Sequence, residues 1–182
     1  MNLFVLSLDA DENAEMHCDQ HVVKMILEGA QLLSTAVVVH QALCENVGRS
    51  LTRDEIKRIH MYWDSMDALK PYKPTHVNHP LTIWTRTSKK NFMFVKSYVH
   101  ALHNEYQRRY AKMHKSAMVA DSLEPPSTMP EGNLPVQPVL CMPEEYKTEG
   151  DPVRSYRTFY KEEKMKFAKY AYTPMPSWLV SS

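Results

Sequence analysis

The stretch "HCDQHVVKMILEGAQ", residues 17–31, sets two imidazoles, an amine, two carboxylates and two carboxamides among valines, a leucine, an isoleucine and a methionine. At the helical advance per residue, His17, His21, Lys24, Glu28 and Gln31 share a sector of about 80°. A surface helix has the reverse proportions, a broad polar face and a narrower apolar stripe. The pattern therefore predicts a helix buried on most sides, with one polar seam lining a cleft. In a cleft, a lysine can attack as a nucleophile, Glu28 can serve as acid or base, and histidines can donate or carry protons. The plainer reading makes the seam the solvent edge of a central helix. Lys24 and Glu28 lie one turn apart and can pair, which keeps Lys24 charged. Its neighbours Val23, Met25, Ile26 and Leu27 predict desolvation, which favours the neutral amine that attack requires.

His17 and His21 also have the HxxxH spacing that lets two imidazoles share a metal, with His76 or His79 as a third ligand. Cys18 stands where the metalloprotease motif has a glutamate, so the pair alone is a weak candidate and the sequence calls for no metal or other cofactor.

Two further clusters carry polar chemistry. "KPYKPTHVNHPLTIWTR" gathers Lys70, Lys73, His76, Asn78, His79 and Arg86 around a proline-stiffened loop and a helix start, a setting that suits an anion. Tyr72 and Trp84 add aromatic faces on which a base can stack. "RSYRTFYKEEKMKFAKYAY" interleaves Arg154, Arg157, Lys161, Lys164, Lys166 and Lys169 with tyrosines and phenylalanines, the composition of a phosphate-tracking surface. A capped surface loop and a basic amphipathic helix with core tyrosines are the respective plain alternatives.

The elements that must position these groups are mostly helical. "NLFVLSL" reads as a short strand or an extended buried segment. Asp9 and Glu12 have capping-box spacing ahead of a long helix over about 12–44, and Thr52 and Glu55 repeat the spacing ahead of a second. Pro80 suits a first helical position, and Ser88 caps a helix carrying Phe92, Val95, Val99, Leu102 and Tyr106, extending through "KMHK". Residues 116–150, with six prolines from Pro125 to Pro143, read as a long irregular segment of functional character. Asp151 and Pro152 open a last helix, and a proline-broken tail packs through Trp178. The expected fold is a compact single-domain helical bundle over 1–182, with a short N-terminal extended segment and a long Pro-rich loop.

The 182 residues carry a formal net charge of +1, so nucleic-acid binding would need a local patch. Apolar runs such as "AVVV" are too short to span a bilayer, and the N-terminus lacks signal-peptide character, so a cytosolic location without membrane contact is expected. Cys18, Cys44 and Cys141 read as free thiols. No glycine-rich phosphate loop is present among the four glycines.

"HCDQHVVKMILEGAQLLSTA", "YKPTHVNHPLTIW" and "YRTFYKEEKMKFAKY…PSW" together resemble a group of small phage proteins along nearly the whole chain. More remotely, the layout resembles the pyrimidine-dimer DNA glycosylases of the endonuclease V type. Shared features are the apolar N-terminal segment, the long first helix, an "HP" turn leading into a helix, and an aromatic-basic C-terminus. The resemblance implies a compact helical protein in the host cell cytoplasm. It also implies attack of an amine on sugar C1′, giving a Schiff base and strand cleavage. In that family the amine is N-terminal, exposed by methionine removal and assisted by a first-helix glutamate. This chain departs from it: Asn2 disfavours methionine removal, the Arg-Glu pair is missing, and Glu28 lies deeper in the helix.

The expected function is a phage DNA-processing enzyme acting on a pyrimidine base extruded from the duplex, glycosylase/lyase-like. Its nucleophile is the Met1 amine or Lys24, and Glu28 is the acid-base partner. His17, Gln31, Lys73, His76, Asn78, His79, Trp84, Arg154, Arg157 and Lys161 are the expected DNA-contacting residues. A transferase placing an amine or amino acid on a modified thymine is the first alternative, with Lys24 and the histidines binding a leaving phosphate. A non-enzymatic DNA- or protein-binding accessory protein that counters host defence is the second.

Overall fold

The computed structural model describes residues 1–45, 48–67, 70–133 and 136–180. The chain is mostly helical, and no strand occurs among the described residues. The helices are α1 (Ala10–Glu15), α2 (Asp19–Leu43), α3 (Arg53–Asp64), α4 (Pro80–Thr87), α5 (Lys89–Tyr110), α6 (Lys115–Asp121), α7 (Pro152–Phe159) and α8 (Ser177–Val180). A π-helical turn, Tyr160–Lys164, continues α7.

Helix α2 is the centre, packed against α3, α4, α5 and α6. By length and composition it could cross a bilayer, contrary to the count of uninterrupted apolar runs; 72% of its most apolar window is buried in the fold. Its Ile26, Ala30, Leu33 and Ala36 join Leu81 of α4, Val95, Val99 and Leu102 of α5 and Ala117 of α6 in the main core. A smaller core joins Val38 and Val39 to Leu51, Ile59 and Val77. Gly29 lets α2 approach α5 closely: a Cβ there would stand 2.3 Å from Val99 Cγ2.

Local chemistry sets the boundaries. The capping box of Thr52 and Glu55 forms in full. At Asp9 only half forms, because the Glu12 carboxylate accepts the Ser7 hydroxyl instead. Pro80 opens α4, Ser88 caps α5, and Asp151 caps α7 ahead of Pro152.

The sequence expected one helix over 12–44, and the structure breaks it. Cys18 is extended (φ −65°, ψ 160°), and its N–H donates to Tyr160 Oη at 2.9 Å, so α2 starts at Asp19. Likewise α5 stops at Tyr110, short of "KMHK", because Ala111 turns left-handed (φ 52°), and α6, capped by His114, runs into residues 116–121 of the segment expected to be irregular. "NLFVLSL" is extended rather than a strand, with Leu3, Phe4, Val5 and Leu6 all buried. Side chains satisfy part of its backbone: Leu6 N–H donates to Asn13 Oδ1 (2.6 Å), and Leu6 C=O accepts from Arg157 Nε (2.8 Å).

Candidate active site

The polar seam divides into two environments. At the start of α2 the histidines belong to an aromatic core. His17 is fully buried, with Nδ1 on Asn13 O (2.7 Å) and Nε2 on Tyr98 Oη (2.9 Å). Asn13 O can only accept, so Nδ1 carries the proton and Nε2 accepts from Tyr98. Burial, aided by Arg109, lowers the His17 pKa to about 4. His21 stacks on Phe4 at 4.6 Å and bonds Tyr160 Oη through Nδ1 at 2.8 Å. Burial first, then His17, Lys164 and Lys24, lowers it to about 3. Both imidazoles are neutral near pH 7, and the hydrogen bonds of His17 leave it no lone pair for a metal. Among the described residues no group of three or more His, Cys, Asp or Glu is arranged to hold a metal ion.

Two turns further along α2 the seam meets the beginning of the chain. The Glu28 side chain is 13% exposed. Its Oε2 accepts the Asn2 backbone N–H at 2.8 Å and lies 3.8 Å from the Met1 amine. Its Oε1 lies 3.4 Å from Lys24 Nζ. The desolvation expected for Lys24 does not occur: its side chain is 65% exposed. Of the neighbours expected to desolvate it, Met25 and Ile26 point into the core, whereas Val23 and Leu27 are themselves exposed.

Helix α4 meets residue 1 through Thr82. His79 caps α4, its Nδ1 accepting from Leu81 N–H at 3.2 Å. Burial holds His79 below the ordinary histidine value; repulsion by the residue-1 ammonium and His76 adds to this, and Glu28 opposes it. His79 thus shares the electrostatic neighbourhood of the amine and its carboxylate. His76 is exposed and left-handed (φ 47°). The Met1 side chain is 2% exposed, and its Sδ receives the Thr82 hydroxyl at 3.6 Å.

The fold therefore gathers Met1, Lys24, Glu28 and His79, and places the remaining candidates elsewhere. Gln31 is half-buried further along α2. Lys73 lies 4.0 Å from Asp64 and 5.4 Å from the Trp63 ring. Asn78 holds both the N–H and C=O of Leu51, at 2.7 and 2.8 Å, which pins its loop. Trp84 packs edge-on against Phe94. Arg154 is exposed on α7, and Lys161 is half-buried in the π-helical turn. Arg157 reaches inward to Leu6 O and covers the Trp178 ring at 5.2 Å.

Sequence reasoning passed over the site roles of Asn2, Thr82, Cys141 and Tyr156: Thr82 touches the Met1 sulfur, and Cys141 and Tyr156 bond the Asn2 side chain. Tyr156 carried a signal, as one of the larger residues on the last helix stripe. Asn2 carried none beyond its effect on methionine removal.

An amine, a largely buried carboxylate and a neutral imidazole in one neighbourhood are equipped for carbonyl chemistry: attack by nitrogen, with proton transfer by the neighbours. Comparison with protein families, curated proteins and solved structures finds no match to this chain.

Proposed function

We propose that the protein is a DNA-processing enzyme acting on a pyrimidine base, with the amine of residue 1 as nucleophile and Glu28 as its acid-base partner. The observation that carries this reading is the meeting of residues 1 and 2 with Glu28 across 26 positions of sequence. The amine nitrogen bonds to sugar C1′ as the glycosidic bond breaks, and the base leaves with the electron pair and a proton. Loss of the amine proton and opening of the sugar give an iminium. Removal of a C2′ proton then expels the 3′ phosphate. Glu28 is the group placed to accept and return these protons. Lys24, exposed beside the same carboxylate, suits a DNA phosphate better than nucleophilic attack.

Borohydride trapping on duplex oligonucleotides carrying an abasic site or a thymine dimer tests the reading. The protein must first be shown by intact mass to begin at Met1. Trapping should survive Lys24→Ala and disappear when the α-amine is acetylated. Loss with Lys24→Ala alone would move the nucleophile to Lys24.

The exposure of Lys24 also favours a second reading, a transferase that uses this ammonium and His79 to hold a leaving phosphate. Bases altered without any trapped adduct would select it.

A further inference from the structure

Besides the 3.8 Å approach of its amine to Glu28, residue 1 is held at two points. Its side chain is buried with its sulfur on Thr82. The second point is Asn2, where distant parts of the chain converge. Asn2 Oδ1 accepts from Leu3 N–H at 2.9 Å and from Tyr156 Oη at 3.2 Å, and Asn2 Nδ2 donates to Cys141 O at 3.2 Å. The single proton of the Tyr156 hydroxyl is shared between Asn2 Oδ1 and the nearer Val139 O (2.9 Å), a three-centre contact that ties α7, the Pro-rich segment and the N-terminus together. Tyr156 is completely buried, and burial pushes its hydroxyl well above the usual phenol range, so it remains a donor. With both side-chain ends of Asn2 occupied, its backbone N–H points at Glu28 and the nitrogen of residue 1 follows.

We propose that Asn2 and Tyr156 are positioning residues for the residue-1 amine: the Asn2 carboxamide is a peg, bonded to Tyr156 Oη and Cys141 O, that holds the chain start against Glu28. This rests on the reading of that amine as the nucleophile, and it assigns work to two side chains that need not touch DNA. Asn2 has a double effect, since a large residue at position 2 also disfavours removal of Met1.

Asn2→Leu keeps a large residue at position 2 and removes both side-chain bonds. Tyr156→Phe keeps the ring and removes the hydroxyl. Asn2→Asp keeps the acceptor for Leu3 and Tyr156. Two readouts apply, each after intact mass confirms Met1 and a melting curve confirms folding. The first is reductive methylation of the α-amine by formaldehyde, mapped by mass spectrometry with Lys24 as internal reference. The α-amine should react faster in Asn2→Leu and Tyr156→Phe than in the wild type, with Lys24 unchanged. The second is borohydride trapping on abasic duplex. It should slow by about 10²-fold, the cost of a displacement near 1 Å, with DNA affinity unchanged and with Asn2→Asp, which loses the bond to Cys141 O, between the wild type and Asn2→Leu. Wild-type methylation rates in both variants would overturn the positioning role whatever the DNA result. A wild type that never traps, with methylation changed as expected, would overturn the nucleophile reading and leave the peg standing.

Discussion

Glu28 Oε2 accepts the Asn2 backbone N–H at 2.8 Å and stands 3.8 Å from the Met1 amine, although 27 positions separate Glu28 from Met1 and nearly all of the intervening chain is helical or buried. The relationship depends on two supports. The extended segment Leu3–Leu6 is fixed by Asn13 and Arg157, and α2 is drawn onto α5 at Gly29. Glu28 is thus presented next to the close approach of α2 and α5, a rigid setting of the kind precise positioning requires.

Replacing Glu28 by Gln removes the acid-base group and keeps the side-chain shape. Adduct formation on abasic duplex should fall by about 10²-fold or more, the usual scale for a positioned acid or base. DNA affinity should change little. Undiminished trapping in the variant would exclude Glu28 from the chemistry.

Gly29→Ala tests the support beneath it. The added methyl meets Val99 Cγ2 at 2.3 Å, so α2 and α5 must separate or Val99 must change rotamer. Overpacking of this kind costs about 1–3 kcal/mol. Urea unfolding should show that loss, and pairing with Val99→Ala should recover part of it. A variant as stable as the wild type would contradict the close approach.

How much of this was legible follows the physics of each part. The helices with local signals, α3, α4, α5 and α7, begin where Thr52, Pro80, Ser88 and Asp151 indicate, because capping is decided within four residues. The break at Cys18 was invisible, since the group that takes its N–H is Tyr160, 142 positions away. The seam was legible as a line of polar residues, but its division was not. His17 and His21 turn inward because Tyr98 and Tyr160 satisfy them, and tertiary partners of this kind leave no mark on helical periodicity.

The neutral histidines make stability depend on pH in a definite direction. The folded-state values, about 4 for His17 and about 3 for His21, lie below the unfolded value of 6.5. Between pH 6.5 and about 4 the unfolded chain binds more protons at both sites, so their contribution is complete above 6.5 and is lost as pH falls. Each site contributes a slope of about 1.4 kcal/mol per pH unit. His40, His79, His103 and His114 are shifted the same way and add to it. Denaturant melts at pH 7, 5.5 and 4.5 should show the loss, and His17→Gln should reduce the slope by about one proton. An unchanged slope in that variant would mean that His17 is protonated in the fold.

Arg157 and Arg154 should separate structure from DNA contact. Arg157 bonds Leu6 O, covers Trp178 and touches Met16 Sδ, so Arg157→Ala should destabilise by about 1–3 kcal/mol. The exposed Arg154 should leave stability alone when changed to Ala; DNA affinity should weaken and the salt slope decrease by about one. Thermal melts and salt titrations of the two variants distinguish these roles, and the reverse assignment would place the DNA track on a different face.

The most direct measurement is the identity of the residue that carries DNA after reduction. Wild-type protein starting at Met1 is incubated with abasic duplex and borohydride, digested, and mapped by tandem mass spectrometry. The deoxyribose adduct should lie on the α-amine of Met1, in the peptide that begins with Met1 and Asn2. An adduct on Lys24, or none while strand cleavage proceeds, would contradict the account.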